Sequence, residues 1–95
     1  MIIVRNIFHI RQGGIRQAVE GMKQATANVP NRPRILTDLS GPMNTIVVER
    51  RFESMAAAEQ WRNEFFQSPD FKQGEDPMNE WLLSGSTEMY TIEQE

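Results

Sequence analysis

Apolar and polar side chains alternate along the first ten residues in the manner of a β-strand. The stretch Ile2–Ile10 is rich in β-branched and aromatic residues, and both of its faces are mainly apolar. Ile3 and Ile7 fall on one face, whereas Asn6 falls on the other. We therefore expect a central strand that is covered by helices on one side and by a further layer on the other.

After two adjacent glycines at 13–14, the hydrophobic period changes to that of an α-helix. The apolar stripe starts at Ile15, and the prolines and asparagines of 28–33 end the helix. A second helical stripe follows Ser54, whose hydroxyl suits an N-cap, and it reaches about Gln67. The members of this second stripe are Met55, Ala58, Trp61 and Phe65.

Three further stretches have the composition of strands. Residues 34–40 and 45–52 are joined by a turn that contains glycine and proline, so they are predicted to form a hairpin. Residues 87–92 supply the last strand. A short third helix precedes it, with Pro77 at its first position and its end at Gly85.

The elements form two consecutive strand-helix-strand units, and this order predicts the ferredoxin-like α+β fold. Right-handed crossovers place the two main helices on one face of a four-stranded antiparallel sheet. Residues 1–95 are expected to form a single domain, because a chain of this length builds one core. The other face of the sheet, which carries Ile3 and Ile7, is expected to pack against a second copy in a homodimer.

The composition limits the chemistry and the partners. The net charge is −3 and the pI is near 5.2, so the overall charge does not attract nucleic acid or an anionic membrane. The absence of cysteine excludes disulfides, thiolate nucleophiles and cysteine-ligated metal centres. No signal peptide or membrane span is recognisable, so a cytoplasmic location without a membrane partner is expected. The only adjacent basic pair, Arg50-Arg51, is interpreted as a solvated or ion-paired strand position, and a local basic patch is the alternative.

The second half of the chain resembles the dimeric α+β barrel proteins. The pattern is similar to that of the antibiotic biosynthesis monooxygenase (ABM)-like group and of NIPSNAP-like and other stress-associated barrels. Nearly the whole chain shares the order of elements, whereas the residue pattern is confined to about 52–71. The residues that carry the resemblance are Phe52, Ser54, the alanines at 56–58, Trp61, Ser68 and Phe71.

This resemblance implies that two ferredoxin-like subunits pack sheet against sheet. It also implies that each subunit holds a small aromatic molecule, or haem, in a cleft between the helices and the sheet. Haem-degrading members use an asparagine on the first strand, a tryptophan on the second helix and a later histidine. Asn6 and Trp61 match the first two positions, but no histidine follows Trp61. No cofactor is therefore expected.

The candidate catalytic residues are Asn6, Trp61 and His9. His9 is the sole histidine and suits a base near neutral pH, although it alternates away from Asn6 and is otherwise a sheet-face or interface residue. Asn6 either bonds a backbone group or orients a substrate oxygen or bound dioxygen. Trp61 is either a core residue or a flat wall for an aromatic ligand. The other candidate ligand-binding residues are Phe8, Phe65, Phe66, Phe71, Met78, Trp81 and Tyr90.

Two classes of function remain open for a protein that binds a small aromatic or apolar ligand. One is a cofactor-independent monooxygenase acting on an aromatic or polyphenolic substrate, for which the protein supplies an apolar pocket, a proton acceptor and polar groups for a peroxy intermediate. The alternative is a ligand-binding or stress-associated barrel without turnover. No metal site is predicted, because the loop carboxylates match no ion-binding loop. RNA binding is disfavoured, because the central strands lack the pattern of aromatic and basic residues.

Overall fold

The chain folds into a four-stranded antiparallel sheet with two main helices, as the ferredoxin-like α+β prediction requires. The computed structural model describes residues 1–67 and 78–95. The strands lie side by side in the order β2-β3-β1-β4. The elements are β1 (Ile2–Ile10), α1 (Ile15–Thr26), β2 (Arg34–Thr37), β3 (Thr45–Phe52), α2 (Met55–Phe66), a four-residue helix α3 (Met78–Trp81) and β4 (Leu82–Thr91).

The strand register divides the side chains of the sheet between two faces. Residues that stand opposite each other in antiparallel strands share a face. We call the face covered by α1 and α2 the helix face. In β1 and β3 it carries the even-numbered residues. In β2, and in β4 from position 84 onward, it carries the odd-numbered residues. The open face carries the other strand residues. The alternation predicted for β1 is confirmed, with Asn6 on the helix face and Ile3, Ile7 and His9 on the open face.

The apolar core lies between the helix face and the helices, in two clusters. The cluster under α1 is centred on Ile46, which is completely buried. Its other buried members are Ile10, Ala18, Val19 and Val48, with Phe8, Ile15, Met22, Ile35, Trp81 and Leu82 packed around them. The cluster under α2 is smaller and consists of Ile2, Phe52 and Ala58, with Val4, Ala57 and Trp61 against it. Each main helix therefore covers its own part of the sheet.

The start of α2 follows directly from the local sequence. The Ser54 hydroxyl oxygen accepts a hydrogen bond from the Ala57 amide at 3.1 Å, so the predicted N-cap is confirmed. The bounds predicted for the first and third strands are also confirmed. No helix within residues 1–67 and 78–95 is long and apolar enough to cross a membrane.

The second strand is shorter than predicted, because it ends at Thr37 rather than at position 40. The Asp38 carboxylate accepts a hydrogen bond from the Thr45 amide at 2.9 Å, and this side-chain bond closes a loop where the backbone ladder would otherwise continue. Leu39, which falls within the predicted strand, lies in the loop and is fully exposed.

The boundary between the third helix and the last strand was predicted wrongly. The helix ends at Trp81, and β4 begins at Leu82 instead of position 87. Gly85 is not a helix terminus but a strand residue opposite Phe8, and a Cβ placed on it would lie 3.3 Å from the Phe8 ring. The long first strand offers backbone partners along this whole stretch, so pairing with β1 overrides the local helix signal.

Candidate functional site

Trp61 lies on α2 with its ring against the helix face, and it is half-buried. Its ring centroid is 6.0 Å from that of Phe52 and 5.5 Å from that of Phe65, with which it stacks at an interplanar angle of 13°. The guanidinium carbon of Arg50 lies 4.2 Å from the Trp61 ring centroid. Trp61 thus contributes to the core on one part of its surface and contacts a cation on another.

Asn6 lies on the helix face with its side-chain oxygen bonded. That oxygen accepts a hydrogen bond from the Thr87 hydroxyl of β4 at 3.1 Å. The partner is therefore a side chain, not the backbone group that the sequence suggested as one alternative. The side-chain nitrogen of Asn6 makes no hydrogen bond within the part of the chain that the structure describes.

Arg50 is a candidate site residue that the sequence interpretation missed. It lies on the helix face of β3, opposite Val4, and not on the surface with Arg51. Its Nε atom is buried and has no hydrogen-bond partner among the described residues, and burial lowers the pKa of its guanidinium. The signal was present in the sequence, because position 50 alternates with Val48 and Phe52 on an apolar face.

Two of the predicted site residues, His9 and Tyr90, lie on the open face, so the sheet separates them from Trp61. His9 Nδ1 is 3.4 Å from the Thr45 hydroxyl oxygen, whose own proton is donated to the carbonyl of Pro42. Tyr90 donates its hydroxyl proton to Glu88 at 2.9 Å, and this bond raises the pKa of the phenol. The structure therefore brings Asn6 and Trp61 to one face and does not bring His9 to join them.

The other predicted ligand-binding residues do not form one cluster either. Phe8 and Trp81 belong to the core under α1. Phe65 and Phe66 lie at the end of α2 with much of their surface exposed, and the Arg62 guanidinium lies 5.2 Å from the Phe66 ring centroid. Phe71 and the side chain of Met78 fall outside the described residues.

A row of four charged residues crosses the open face, one from each strand. They are, in order across the sheet, Arg34, Glu49, Arg5 and Glu88. Glu49 accepts from Arg5 at 2.8 Å and from Arg34 at 2.7 Å, and its side chain is only 5% exposed. The hydrogen bond from Arg5 is the main reason why the pKa of Glu49 is lowered. We call this set the charged row.

Trp61 does not line either of two concave regions of the described surface. One, of about 240 Å³, includes four basic residues in its lining, which are Arg32, Arg34, Arg50 and Arg51. The other, of about 430 Å³, lies between α1 and β2. No group of three or more potential metal ligands occurs in residues 1–67 and 78–95.

The strand order, the antiparallel register and the helices on one face define a ferredoxin-like α+β protein. Among solved structures, the chain is similar to a NIPSNAP-like domain protein from Burkholderia xenovorans (14% identity, 96% of this chain and 84% of that chain, TM-score 0.83). It is also similar to a NIPSNAP family protein from Agrobacterium tumefaciens (11% identity, 96% and 84%, TM-score 0.80). A third similar structure is a candidate antibiotic biosynthesis monooxygenase from Deinococcus radiodurans (14% identity, 100% and 95%, TM-score 0.68).

No family model matches the chain, and no curated protein matches it. At identities this low, the similarity to the solved structures concerns the fold. The resemblance to the ABM-like and NIPSNAP-like proteins is therefore confirmed at the level of the fold.

Proposed function

We propose that this protein binds a small aromatic molecule on its helix face, beside Trp61. The observation that carries the proposal is a pair of polar groups on a mainly apolar face, the amide nitrogen of Asn6 and the guanidinium of Arg50. Neither has a hydrogen-bond partner among residues 1–67 and 78–95. Small-molecule sites are mostly apolar and contain a few polar groups that orient the ligand. A ligand with oxygen atoms would provide the hydrogen bonds that these two groups lack.

The geometry of the sheet supports a ligand of this size. Asn6 stands opposite Val48, and Arg50 stands opposite Val4, so Asn6 and Arg50 are diagonal neighbours. Such neighbours lie about 7–8 Å apart on one face of a sheet, a separation that an aromatic ring with polar groups at both ends can span. Met89, which lies beyond Val4 on the same face, is 45% exposed, so this part of the helix face has space for a ligand.

The enzymatic form of the proposal is a cofactor-independent monooxygenase for polyphenols. Its support is the fold shared with the candidate antibiotic biosynthesis monooxygenase from Deinococcus radiodurans. In this chemistry a deprotonated, electron-rich ring reacts with dioxygen; one oxygen atom enters the ring as a carbonyl, and the other leaves as water with two hydrogens of the substrate. Asn6 would donate a hydrogen bond to the peroxy oxygen, and Trp61 would form the wall of the site.

The alternative is a ligand-binding barrel without turnover, and the position of His9 favours it. The sole imidazole lies on the opposite face from Asn6 and Trp61, so it is not available in the same subunit to accept the proton of the substrate. Similarity to the NIPSNAP family structures, with TM-scores of 0.83 and 0.80, is compatible with this form.

Binding and turnover of 1,5-dihydroxynaphthalene separate these forms. Titration followed by NMR tests binding, while oxygen consumption and quinone absorbance test turnover. We expect the Asn6→Ala/Trp61→Leu variant to lose binding, and any oxygen consumption with it, whereas the Leu39→Ala variant, changed at a fully exposed position, retains both. Binding without oxygen consumption would support the form without turnover. If the double variant binds the ligand as tightly as the wild type, the proposed site is wrong.

We also propose that a second copy of the chain covers the open face. Leu36, Val47 and Ile7 form an apolar row there, at directly opposed positions in three neighbouring strands. The adjacent charged row contains two positive and two negative side chains, so it adds no net charge that would repel an identical face. Apolar contact with balanced charge suits a two-fold interface between copies.

A further inference from the structure

We infer that the site beside Trp61 selects aromatic ligands that bind as anions, and that Arg50 is the residue that binds the negative group. This inference rests on the ligand site proposed above and specifies the chemical class of its ligand. It assigns the role to one member of the adjacent basic pair, and not to the other.

Among residues 1–67 and 78–95, Arg50 differs from the other arginines of the sheet in having no carboxylate partner. Arg5 and Arg34 both bind Glu49, and Arg51 binds Glu95. Arg50 has neither an ion pair nor a hydrogen bond in the described part of the chain, although its Nε atom is buried. Arg50 is partly buried, and the desolvation of its buried Nε atom is not offset by a hydrogen bond. A bound anion would offset it here.

The orientation of the Arg50 side chain fits this role. Its guanidinium carbon lies 4.2 Å from the Trp61 ring centroid, so the cation is held against the aromatic ring. Of its three nitrogens, Nε alone is both buried and without a partner, so the two terminal nitrogens retain access to the surface. Their N–H groups can donate in parallel to the two oxygens of a carboxylate, or to a single phenolate oxygen.

The neighbouring residues extend this preference to an aromatic body. Val4 and Met89 continue the row from Arg50 across the helix face and are apolar, while Asn6 supplies one uncharged donor at the diagonal position. A flat apolar ring with a negative group at one edge matches this distribution of contacts. In the enzymatic form of the proposal, the same cation would favour the phenolate over the phenol, and the phenolate is the form that reacts with dioxygen.

The test compares two ligands that differ in charge and hardly in shape, 2-naphthoate and 2-naphthamide. Their affinities are measured by NMR titration for the wild type and for the Arg50→Met, Arg50→Lys and Arg51→Met variants. We expect the wild type to bind naphthoate about tenfold or more tightly than naphthamide, as for hydrogen bonds to charged groups. Arg50→Met should remove this preference and leave naphthamide binding within about twofold of its wild-type value.

Arg51→Met is the matched control, because it removes the neighbouring arginine from the opposite face of the same strand. It should leave both affinities unchanged. Arg50→Lys should retain part of the preference, because it keeps the charge and loses the paired donors.

Equal wild-type binding of the two ligands would overturn the inference without contradicting the aromatic site. Absence of binding by both would overturn the site and the inference together. If Arg50→Met does not fold, Arg50→Lys takes its place, and a preference equal to that of the wild type would overturn the role of Arg50.

Discussion

Gly14, just before α1, and Gly21, within it, differ in the space available for a larger side chain. Gly14 precedes the helix, and the Trp81 ring occupies the space where a Cβ on this residue would stand. Gly21 lies within the helix, where an added Cβ would meet nothing within 4 Å. The first glycine is therefore required by close packing, whereas the second only lowers the helix propensity of the chain.

We predict that Gly14→Ala lowers the free energy of unfolding by about 1–3 kcal/mol, because the Trp81 ring must leave its position in the core. Gly21→Ala should raise it by about 0.4–1 kcal/mol, because alanine restricts the unfolded chain and favours the helix. Urea unfolding followed by far-UV circular dichroism measures both. A Gly14→Ala variant as stable as the wild type would show that Trp81 does not pack against this turn.

Arg50 and Arg51 are adjacent in the sequence but lie on opposite faces of the sheet. The strand pattern already separated their faces, since Val48 and Phe52 alternate with position 50. What the pattern could not supply was the side chain that covers position 50, because the contact with Trp61 depends on how α2 packs against the sheet. The contact, rather than the residue type, makes Arg50 a candidate.

Across the sheet, the charged row makes the stability of the four strands depend on pH. Glu49 is nearly buried and accepts from arginines of both neighbouring strands. Its pKa is lowered from the ordinary value of about 4.3, which the unfolded chain retains. The stabilisation is therefore complete above about pH 5 and is lost as the pH falls through the lowered pKa of the folded state.

We predict that Glu49→Gln lowers the free energy of unfolding at pH 7 by about 1–2 kcal/mol, a modest amount because Arg5 and Arg34 are themselves partly exposed to water. The difference from the wild type should shrink as the pH is lowered towards 3. Urea unfolding at several pH values and one protein concentration measures it. Glu93→Gln, at an exposed position, should show no such trend. A constant difference at all pH values would contradict a role for the ionised carboxylate.

The elements also show where local signals suffice and where they do not. The hydroxyl of Ser54 and the stripe that follows it predicted α2 correctly, because an N-cap and a helical period act over a few residues. Gly85 misled the prediction of the last strand, since a glycine is equally suited to a helix end and to a strand position below the Phe8 ring. Only the pairing with β1 distinguishes the two.

The molecule as a whole leaves one face of its sheet without a covering layer in the described chain. Leu36 and Tyr90 are exposed there, and Ile3 and Ile7 are only partly buried. A domain of this size buries a limited share of its surface, so a second copy would add apolar burial that one chain does not provide. This is the physical basis of the proposed dimer.

We predict that the wild type sediments as a dimer at micromolar concentrations and that Ile7→Glu sediments as a single protomer. The substitution places a carboxylate in the middle of the apolar row and opposes it to its own copy across the two-fold axis. Sedimentation velocity gives the mass, and circular dichroism establishes that the variant is folded. Gln17→Glu, on the exposed side of α1, is the control and should remain dimeric. A wild-type protein with the mass of one chain would refute the interface.

The sequence by itself determined the order of the elements, the alternation of the two faces in β1 and the class of fold, because hydrophobic period, caps and turns act between near neighbours. The tertiary structure alone decided which side chains meet. In the structure, Tyr90 lies on the opposite side of the sheet from Trp61, Trp81 packs in the core under α1, and Arg50 contacts Trp61. These placements depend on the register of the strands and on the packing of the helices over the sheet, which no local pattern specifies.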